Sequence, residues 1–520
     1  MIGMSAGGTA MYQAMHSLGF AAESSFKGPA KLAAAPKGAS VLVLGAGIAG
    51  MVAAYELRNA GYKVQVLEYN DRAGGRNWTL RGGDRYTELG GETQDCRFDA
   101  GLYINPGPWR LPYHHRGMLS YCKKLGVALE PFVQINYNAY LHNSKAFGGK
   151  PQRLRAIKAD YNGHVAELLA KATQNHALDA QVTAEDQALL LASLQANGAL
   201  DKNYRFVKGP ESSDRRGYTQ DPGGGLRGRP VYSEPVGFSD LLKSTLWGSL
   251  AIGELYDMQT TMFQPVGGMG MVGQAFGREL GPLIRYNAKV IDISQDDRGV
   301  SVTYEDLSNG SSRQTATADW CVCTIPLSIL GQIPMKVDGP MAQAIAAVPY
   351  STGLKVGLQF KRRFWEEDEQ IYGGITYTDL PIGQISYPSS RFFSDGKGVL
   401  LGAYIWDMGS SMHFSSMSPA QRVAKAVEYG SQIHAQYREE FDNGVGVAWH
   451  RVPSAMGCFG LWTDETRKEH YDNLCAFDGR IVLAGEHASY LPAWQEGAVT
   501  SALDALERLQ ARALAKGAAA

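Results

Sequence analysis

The chain is poor in the features that mark several protein classes. It has no stretch of about 18 apolar residues, so no transmembrane helix is expected. Its charges nearly cancel: 50 Lys and Arg against 51 Asp and Glu leave a formal net charge of −1. Such a balance supplies no long-range field to draw nucleic acid or an anionic membrane, and neither partner is expected. The cysteines Cys96, Cys122, Cys321, Cys323, Cys458 and Cys475 include no Cys-x-x-Cys pair, and their spacing fits no zinc pattern. They read as scattered buried thiols in a reducing compartment. Residues 1–36 are rich in Ala, Gly and Ser and lack the basic start and apolar core of a signal peptide. A soluble, cytoplasmic protein is the expectation.

Glycine is plentiful, 61 in 520 residues, which suggests many turns and close backbone approaches. The length exceeds what one hydrophobic core fills, so two or three domains are expected. The first clear element is the aliphatic run Val41, Leu42, Val43, Leu44, suited to a buried parallel strand. Good helix formers follow over 48–60, with Gly61 placed to end the helix, and 63–67 reads as a second strand. Together they make one βαβ unit. Residues 153–197 read as helical; Thr183 and Asp186 resemble a capping box, and Asn197-Gly198 closes the run. Residues 201–230 read as a long polar loop. Stretches 289–294, 300–305 and 320–324 look like neighbouring strands, and 354–407 is strand-rich. The end repeats the opening logic: strand 481–484, a Gly-Glu turn, then helix 496–514.

The strongest local signal is Gly45-Ala46-Gly47-Ile48-Ala49-Gly50 where the first strand meets the first helix. Gly45 permits the tight turn, Gly47 lets backbone approach a pyrophosphate, and Gly50 permits close helix–strand packing. The helix N-terminus then offers N–H donors to an anion. Glu68 ends the second strand 18 residues after Gly50, where a carboxylate can bind the hydroxyls of an adenosine ribose. This motif does not distinguish FAD from NAD. Gly74-Gly75-Arg76, six residues beyond Glu68, can wrap the same pyrophosphate from the other side, as a permanently bound FAD needs; taken alone it reads as a surface turn.

With these marks the sequence resembles the flavin amine oxidase family, specifically its L-amino-acid oxidase branch, over residues 36–514. Further marks are Leu89-Gly90-Gly91, Gly107-Pro108-Trp109-Arg110-Leu111-Pro112, Lys355 within Gly353-Leu354-Lys355-Val356, and Ala484-Gly485-Glu486 with Trp494. The resemblance implies an α/β fold: a Rossmann-type FAD-binding domain, a mixed-sheet substrate domain and a helical insertion. The FAD domain would comprise 37–87, 256–349 and 450–520, the substrate domain 88–149 and 350–449, and the helical insertion with the long loop 150–255. It also implies FAD contacts at Gly45, Gly47, Ala49, Gly50, Glu68, Gly75 and Arg76. Others would come from Gly107, Pro108, Trp109, Arg110 and Val290, and from Gly485, Glu486, Trp494, Gln495 and Ala498.

The same resemblance assigns substrate roles. Arg110 would bind a substrate carboxylate through two parallel hydrogen bonds, and Tyr387, in Ile385-Ser386-Tyr387-Pro388, would add a third. Without the family, Arg110 reads as a surface or ion-paired arginine and Tyr387 as a half-buried strand tyrosine. Lys355 alternates with Leu354, Val356 and Leu358; in this family the equivalent lysine holds a water beside the flavin and assists its reoxidation by O₂. Trp494 would form one wall of an aromatic cage, and the Ala493 carbonyl would accept a hydrogen bond from the amine. One departure concerns Cys458: Ala455-Met456-Gly457-Cys458 differs from the Ser-Gly-Gly-Cys context in which some relatives attach FAD, so noncovalent FAD is expected. His114, His115 and Arg116 form a polar cluster with no carboxylate neighbour in the sequence, and no metal site is expected.

The activity so implied is oxidation of a free L-amino acid by O₂ to a 2-oxo acid, ammonia and hydrogen peroxide. A tryptophan 2-monooxygenase-like outcome, oxidative decarboxylation to an amide, shares most of the binding residues. An amine oxidase of other substrate, a nicotinamide-dependent dehydrogenase and a flavin-binding protein without turnover also remain. Oligomeric state is open, a homodimer being one option.

Overall fold

The computed structural model describes residues 24–519. Of the N-terminal segment read from the sequence, residues 1–23 lie outside the described residues. The fold is α/β, built around two large sheets.

The first sheet has six strands in the order Ile284–Arg285, Lys63–Leu67, Ser40–Leu44, Trp320–Cys323, Ile481–Leu483, Phe477–Asp478. All neighbours are parallel except the last pair. Val41 to Leu44 are fully buried because helices cover one face and the antiparallel strands within 288–318, with further helices, cover the other, and this is why the strand reads as a continuous aliphatic run without alternation. The helices Ile48–Asn59 and Gln495–Ala519 pack together on one face; Met51, Val52, Leu57, Val499, Ala502 and Leu506 meet there in one core. Ala60 caps the first helix and Gly61 follows at φ +95°, a left-handed turn that aims the chain into Lys63–Leu67.

The second sheet is mixed and has seven strands. Its order is Gln152–Arg153, Tyr140–His142, Ile375–Thr378, Gln384–Ser386, Gly398–Ile405, Leu354–Phe360, Phe441–Ala448. Every residue of Leu354–Phe360 is buried, Lys355 included, since this strand lies between two neighbours with both faces covered.

Three expectations are corrected. Trp320–Cys323 is not beside Val300–Asp306 in an antiparallel sheet; it pairs in parallel with Ser40–Leu44. Its four residues are all buried, which suits the centre of a parallel sheet. Val300–Asp306 does pair with Ala288–Gln295 as expected, and its other neighbour is Ser312–Ala318, a polar strand hidden from a hydrophobicity reading because its face is largely exposed. Residues 201–230 are not a plain loop: they contain the helix Pro210–Arg216. Arg216 locks it to the helix Leu154–Gln174 through a buried ion pair with Asp160, which also accepts from the Val236 N–H at 2.9 Å. The helix Ala184–Gly198 has Thr183 as its cap, but Asp186 accepts from the Thr183 hydroxyl at 2.7 Å, which differs from the capping-box reciprocity read from the sequence. The helix closes at Gly198, as expected, with Ala199 as its cap at φ +53°.

Candidate active site

The glycine turn after Ser40–Leu44 opens the site. Gly45 adopts φ +100°, and Gly47 leads into the helix Ile48–Asn59, whose N-terminus no side chain among the described residues caps. Its first-turn N–H groups therefore keep their capacity to bind an anion. Gly47 bridges Gly74, and a Cβ added to Gly75 would lie 3.1 Å from the Gly47 Cα, so the two glycine turns touch. Gly50 works from beneath: a Cβ there would lie 1.9 Å from the Gly45 oxygen, making it a packing residue and not a wall.

These turns bound a cavity of about 640 Å³. Gly45, Gly47, Ala49, Glu68 and Val290 line one part. Glu68 is buried; its carboxylate accepts from the Ala46 N–H at 2.6 Å and from the Asn70 N–H at 2.8 Å. Burial pushes its pKa above the usual carboxylate value, and those hydrogen bonds oppose the rise. Gly75, Arg76, Gly107, Pro108, Gly485 and Glu486 line the middle. Arg76 Nη1 donates to Glu486 Oε1 at 2.7 Å and to the Cys458 carbonyl at 2.7 Å. Gly107 has no room for a side chain, since a Cβ would lie 2.0 Å from the Arg76 oxygen.

Ala493, Trp494, Gln495 and Ala498 form a further part of the wall, with the last two at the start of the helix Gln495–Ala519. Ala493 sits at φ +68°, and its N–H donates to Glu486 Oε2 at 3.2 Å. Three aromatic walls went unrecognised in the sequence: Tyr404, Trp406 and Trp449. The first two end the strand Gly398–Ile405 or follow it, and nothing in so short an aromatic pattern separates a wall from a core position.

Lys355 lies one layer behind this wall. Its Nζ donates to the Gly107 carbonyl at 2.5 Å and stands 4.2 Å from the Tyr404 ring centre and 4.6 Å from that of Trp109. Burial drives its pKa well below the ordinary lysine value, and the nearby Arg110 charge acts in the same direction. Arg110 is also behind the wall and buried. Its guanidinium carbon is 5.0 Å from the Trp109 ring centre and 5.9 Å from that of Trp494, and Nη2 reaches Met258 Sδ at 3.2 Å. Trp109 is buried against Phe132 and Tyr404 and is not itself part of the wall.

Tyr387 does not join this group. Its hydroxyl is 2.8 Å from Thr376 Oγ1 and 2.8 Å from His434 Nε2, and His434 Nδ1 is 2.8 Å from Glu369. The reason is strand parity. Ser386 pairs with Ile375 and Leu401, which share a core with Trp109, while Tyr387 packs with Ile385 in the core on the other face. A second correction concerns His114 and His115: a carboxylate does stand beside them, with Asp257 Oδ1 3.2 Å from His114 Nε2. Cys458 lines the cavity despite its altered context, and burial pushes its thiol pKa up to about 12.

An FAD molecule fits these residues. An uncapped helix N-terminus and backbone-only walls at Gly47, Gly75 and Gly107 suit a pyrophosphate, and a buried carboxylate at Glu68 suits a ribose. Residues 48–509 match the family described as flavin containing amine oxidoreductase. An L-amino-acid oxidase of Siganus canaliculatus is 28% identical over 492 residues, covering 91% of this chain and 86% of that one. L-amino acid oxidase bordonein-L of Crotalus durissus terrificus is 29% identical over 481 residues, covering 89% of this chain and 86% of that one. Among solved structures, cyclohexylamine oxidase from Brevibacterium oxydans IH-35A gives a TM-score of 0.60 at 15% identity, over 91% of this chain and 99% of that one.

Proposed function

This chain belongs to the flavin-containing amine oxidoreductase family, and from that premise we propose that it is an FAD-dependent oxidase of free L-amino acids. The observation that carries the reading is a buried arginine, Arg110, beside the cavity-lining Trp494. A guanidinium held out of water among aromatic rings is matched to a carboxylate, which an amino acid has and a simple amine lacks. Relatives named L-amino-acid oxidase support the same substrate class.

When bound, FAD would supply the hydride acceptor and the route of the electrons to O₂, with hydrogen peroxide as the product. This chain's own residues position the reactants. Arg110 binds the carboxylate, Trp494 orients the amine, and the Ala493 carbonyl accepts an amine N–H. Lys355, kept towards its neutral form by burial, holds a water and moves a proton at its Nζ. Water converts the imino acid to a 2-oxo acid and ammonia. The FAD is noncovalent, because the buried Cys458 thiol stays protonated at neutral pH and is a poor nucleophile.

A second reading has its own support. Arg110 lies behind the cavity wall against Met258, and the solved relative cyclohexylamine oxidase is an amine oxidase by name. An oxidase of carboxylate-free amines would leave Arg110 there. Peroxide and ammonia release across the twenty L-amino acids, several D-forms and the matching amines decides between them. Activity on L-amino acids with 2-oxo acid product supports the proposal; amide product or activity on amines alone overturns it.

A further inference from the structure

Next to the Trp494 wall lies a polar cluster that the oxidation chemistry does not use. His114 and His115 precede the helix Arg116–Lys124, and Asp257 lies in the turn Tyr256–Met258. Their exposures are 4%, 0% and 2%. One ligand atom from each lies within 4.8 Å of the other two. His114 Nε2 and Asp257 Oδ1 are 3.2 Å apart but not aligned as a hydrogen bond. Among the described residues, both ring nitrogens of each histidine, and Asp257 Oδ1, have no hydrogen-bond partner.

Protein interiors pair nearly all buried polar atoms, so several unpaired ones converging on one point call for a missing binding partner. A buried carboxylate also calls for compensating positive charge. Glu496, close by, does not help: it is another acid, and its oxygens already accept from the Gly117 and Met118 N–H groups at 2.8 and 2.7 Å.

We propose that His114, His115 and Asp257 bind a divalent metal ion of the zinc class. Two imidazoles and one carboxylate suit zinc(II), cobalt(II) or nickel(II), with a fourth position left for water. Tetrahedral zinc–nitrogen distances put ligand atoms about 3.3 Å apart, and His114 Nε2 and Asp257 Oδ1 already stand 3.2 Å apart.

The ion would join two distant parts of the chain beside the substrate site. His115 stands 4.9 Å from the Trp494 ring, and Met258, next to Asp257, touches Arg110. Coordination would therefore fix the turn Tyr256–Met258 against the segment that follows Arg110. The effect on amino-acid turnover rests on the function proposed above; the binding of metal does not.

The test uses holoenzyme stripped with a chelator, dialysed, and checked for retained FAD by absorbance. Zinc(II) binding is measured by equilibrium dialysis with elemental analysis, and cobalt(II) binding by ligand-field bands at wavelengths longer than the flavin absorption. One equivalent per chain, with a raised Tm and at least tenfold weaker binding in Asp257→Asn and His114→Gln, is expected. Near-UV circular dichroism and FAD content check that each variant is folded, and His115→Gln replaces any that is not. Failure of the native holoenzyme to retain zinc or cobalt at micromolar concentration overturns the proposal, as does stoichiometric binding unchanged in folded variants. No substrate is present, so these outcomes are independent of which amine the enzyme oxidises.

Discussion

Arg76 and Glu486 are paired across the cavity at 2.7 Å, and each is tied to a different part of the wall. Arg76 holds the Cys458 carbonyl, and Glu486 holds the Ala493 N–H beside Trp494. One ion pair thus joins the turn after the first βαβ unit to the C-terminal segment. Arg76→Ala would leave the Glu486 carboxylate buried without its cation, a loss of about 3–5 kcal/mol for a buried pair. The expected result is a lower Tm together with a lower flavin-to-protein absorbance ratio, and Arg76→Lys should recover part of both. A variant with native Tm and full flavin would mean the pair contributes nothing to the site.

Cys458 tests the mode of flavin attachment. With the thiol pKa pushed up to about 12 by burial, acid precipitation should leave all FAD in the supernatant. Flavin fluorescence in the pellet of the native protein, and its absence in Cys458→Ser, would instead identify a thioether.

Lys355 is buried with its amine against the Gly107 carbonyl. Because it touches the wall from behind, Lys355→Met should lower kcat, by about 10²–10⁴-fold if it works as a proton carrier, while changing KM little. The reoxidation half-reaction, followed by stopped-flow mixing of reduced enzyme with O₂, should carry most of the loss. A change confined to KM would place Lys355 in substrate binding.

His487 links this region to acid stability. It is fully buried, 3.1 Å from the Tyr350 hydroxyl, and burial lowers its pKa to about 4. The unfolded chain takes up the proton near pH 6.5, and the folded protein refuses it until about pH 4. Stability is therefore fully present above pH 6.5 and is lost progressively as pH falls towards 4, by ~3 kcal/mol for this one group. In His487→Asn the fall in Tm between pH 7 and 4.5 should be shallower than in the native protein. Parallel curves would assign the acid sensitivity to other groups.

Where local chemistry decides the structure, the sequence was legible almost to the residue. Gly45 and Gly50 each have a steric reason to be glycine, and the strands and helix around them run Ser40–Leu44, Ile48–Asn59 and Lys63–Leu67. Lys355 was recognisable only through family context, since propensity alone places a strand lysine in water. The misses share a cause: they depend on contacts between residues far apart in the chain. Tyr387 was placed by its motif, but the pleat sends its hydroxyl to Thr376 and leaves Ser386 facing the Trp109 side. Asp257 meets His114 only because the turn Tyr256–Met258 folds back over the segment after Arg110, and no spacing rule reports such a contact. Trp320–Cys323 was assigned to a neighbouring hairpin because short apolar strands do not announce their sheet.

Arg110 carries the substrate assignment, and its surroundings sharpen the test. The guanidinium is buried among Trp109, Trp494 and Met258, so a bound carboxylate would meet it in a site with little water to screen the charges. Arg110→Ala should then reduce kcat/KM for L-amino acids by about 2–5 kcal/mol, the range for truncating one partner of a buried charge pair. Arg110→Lys should recover only part, because a single ammonium cannot reproduce two parallel hydrogen bonds. The decisive comparison is with amines that lack the carboxylate but keep the side chain of a good substrate. These should be poor substrates of the native enzyme and should lose far less in Arg110→Ala, since they never used the guanidinium. Flavin content must stay constant across the variants, so that lost cofactor is not counted as lost recognition. Equal losses on amino acids and amines, with FAD fully bound, would make Arg110 a packing residue beneath Trp494. The enzyme would then be an amine oxidase whose substrate class Arg110 does not set.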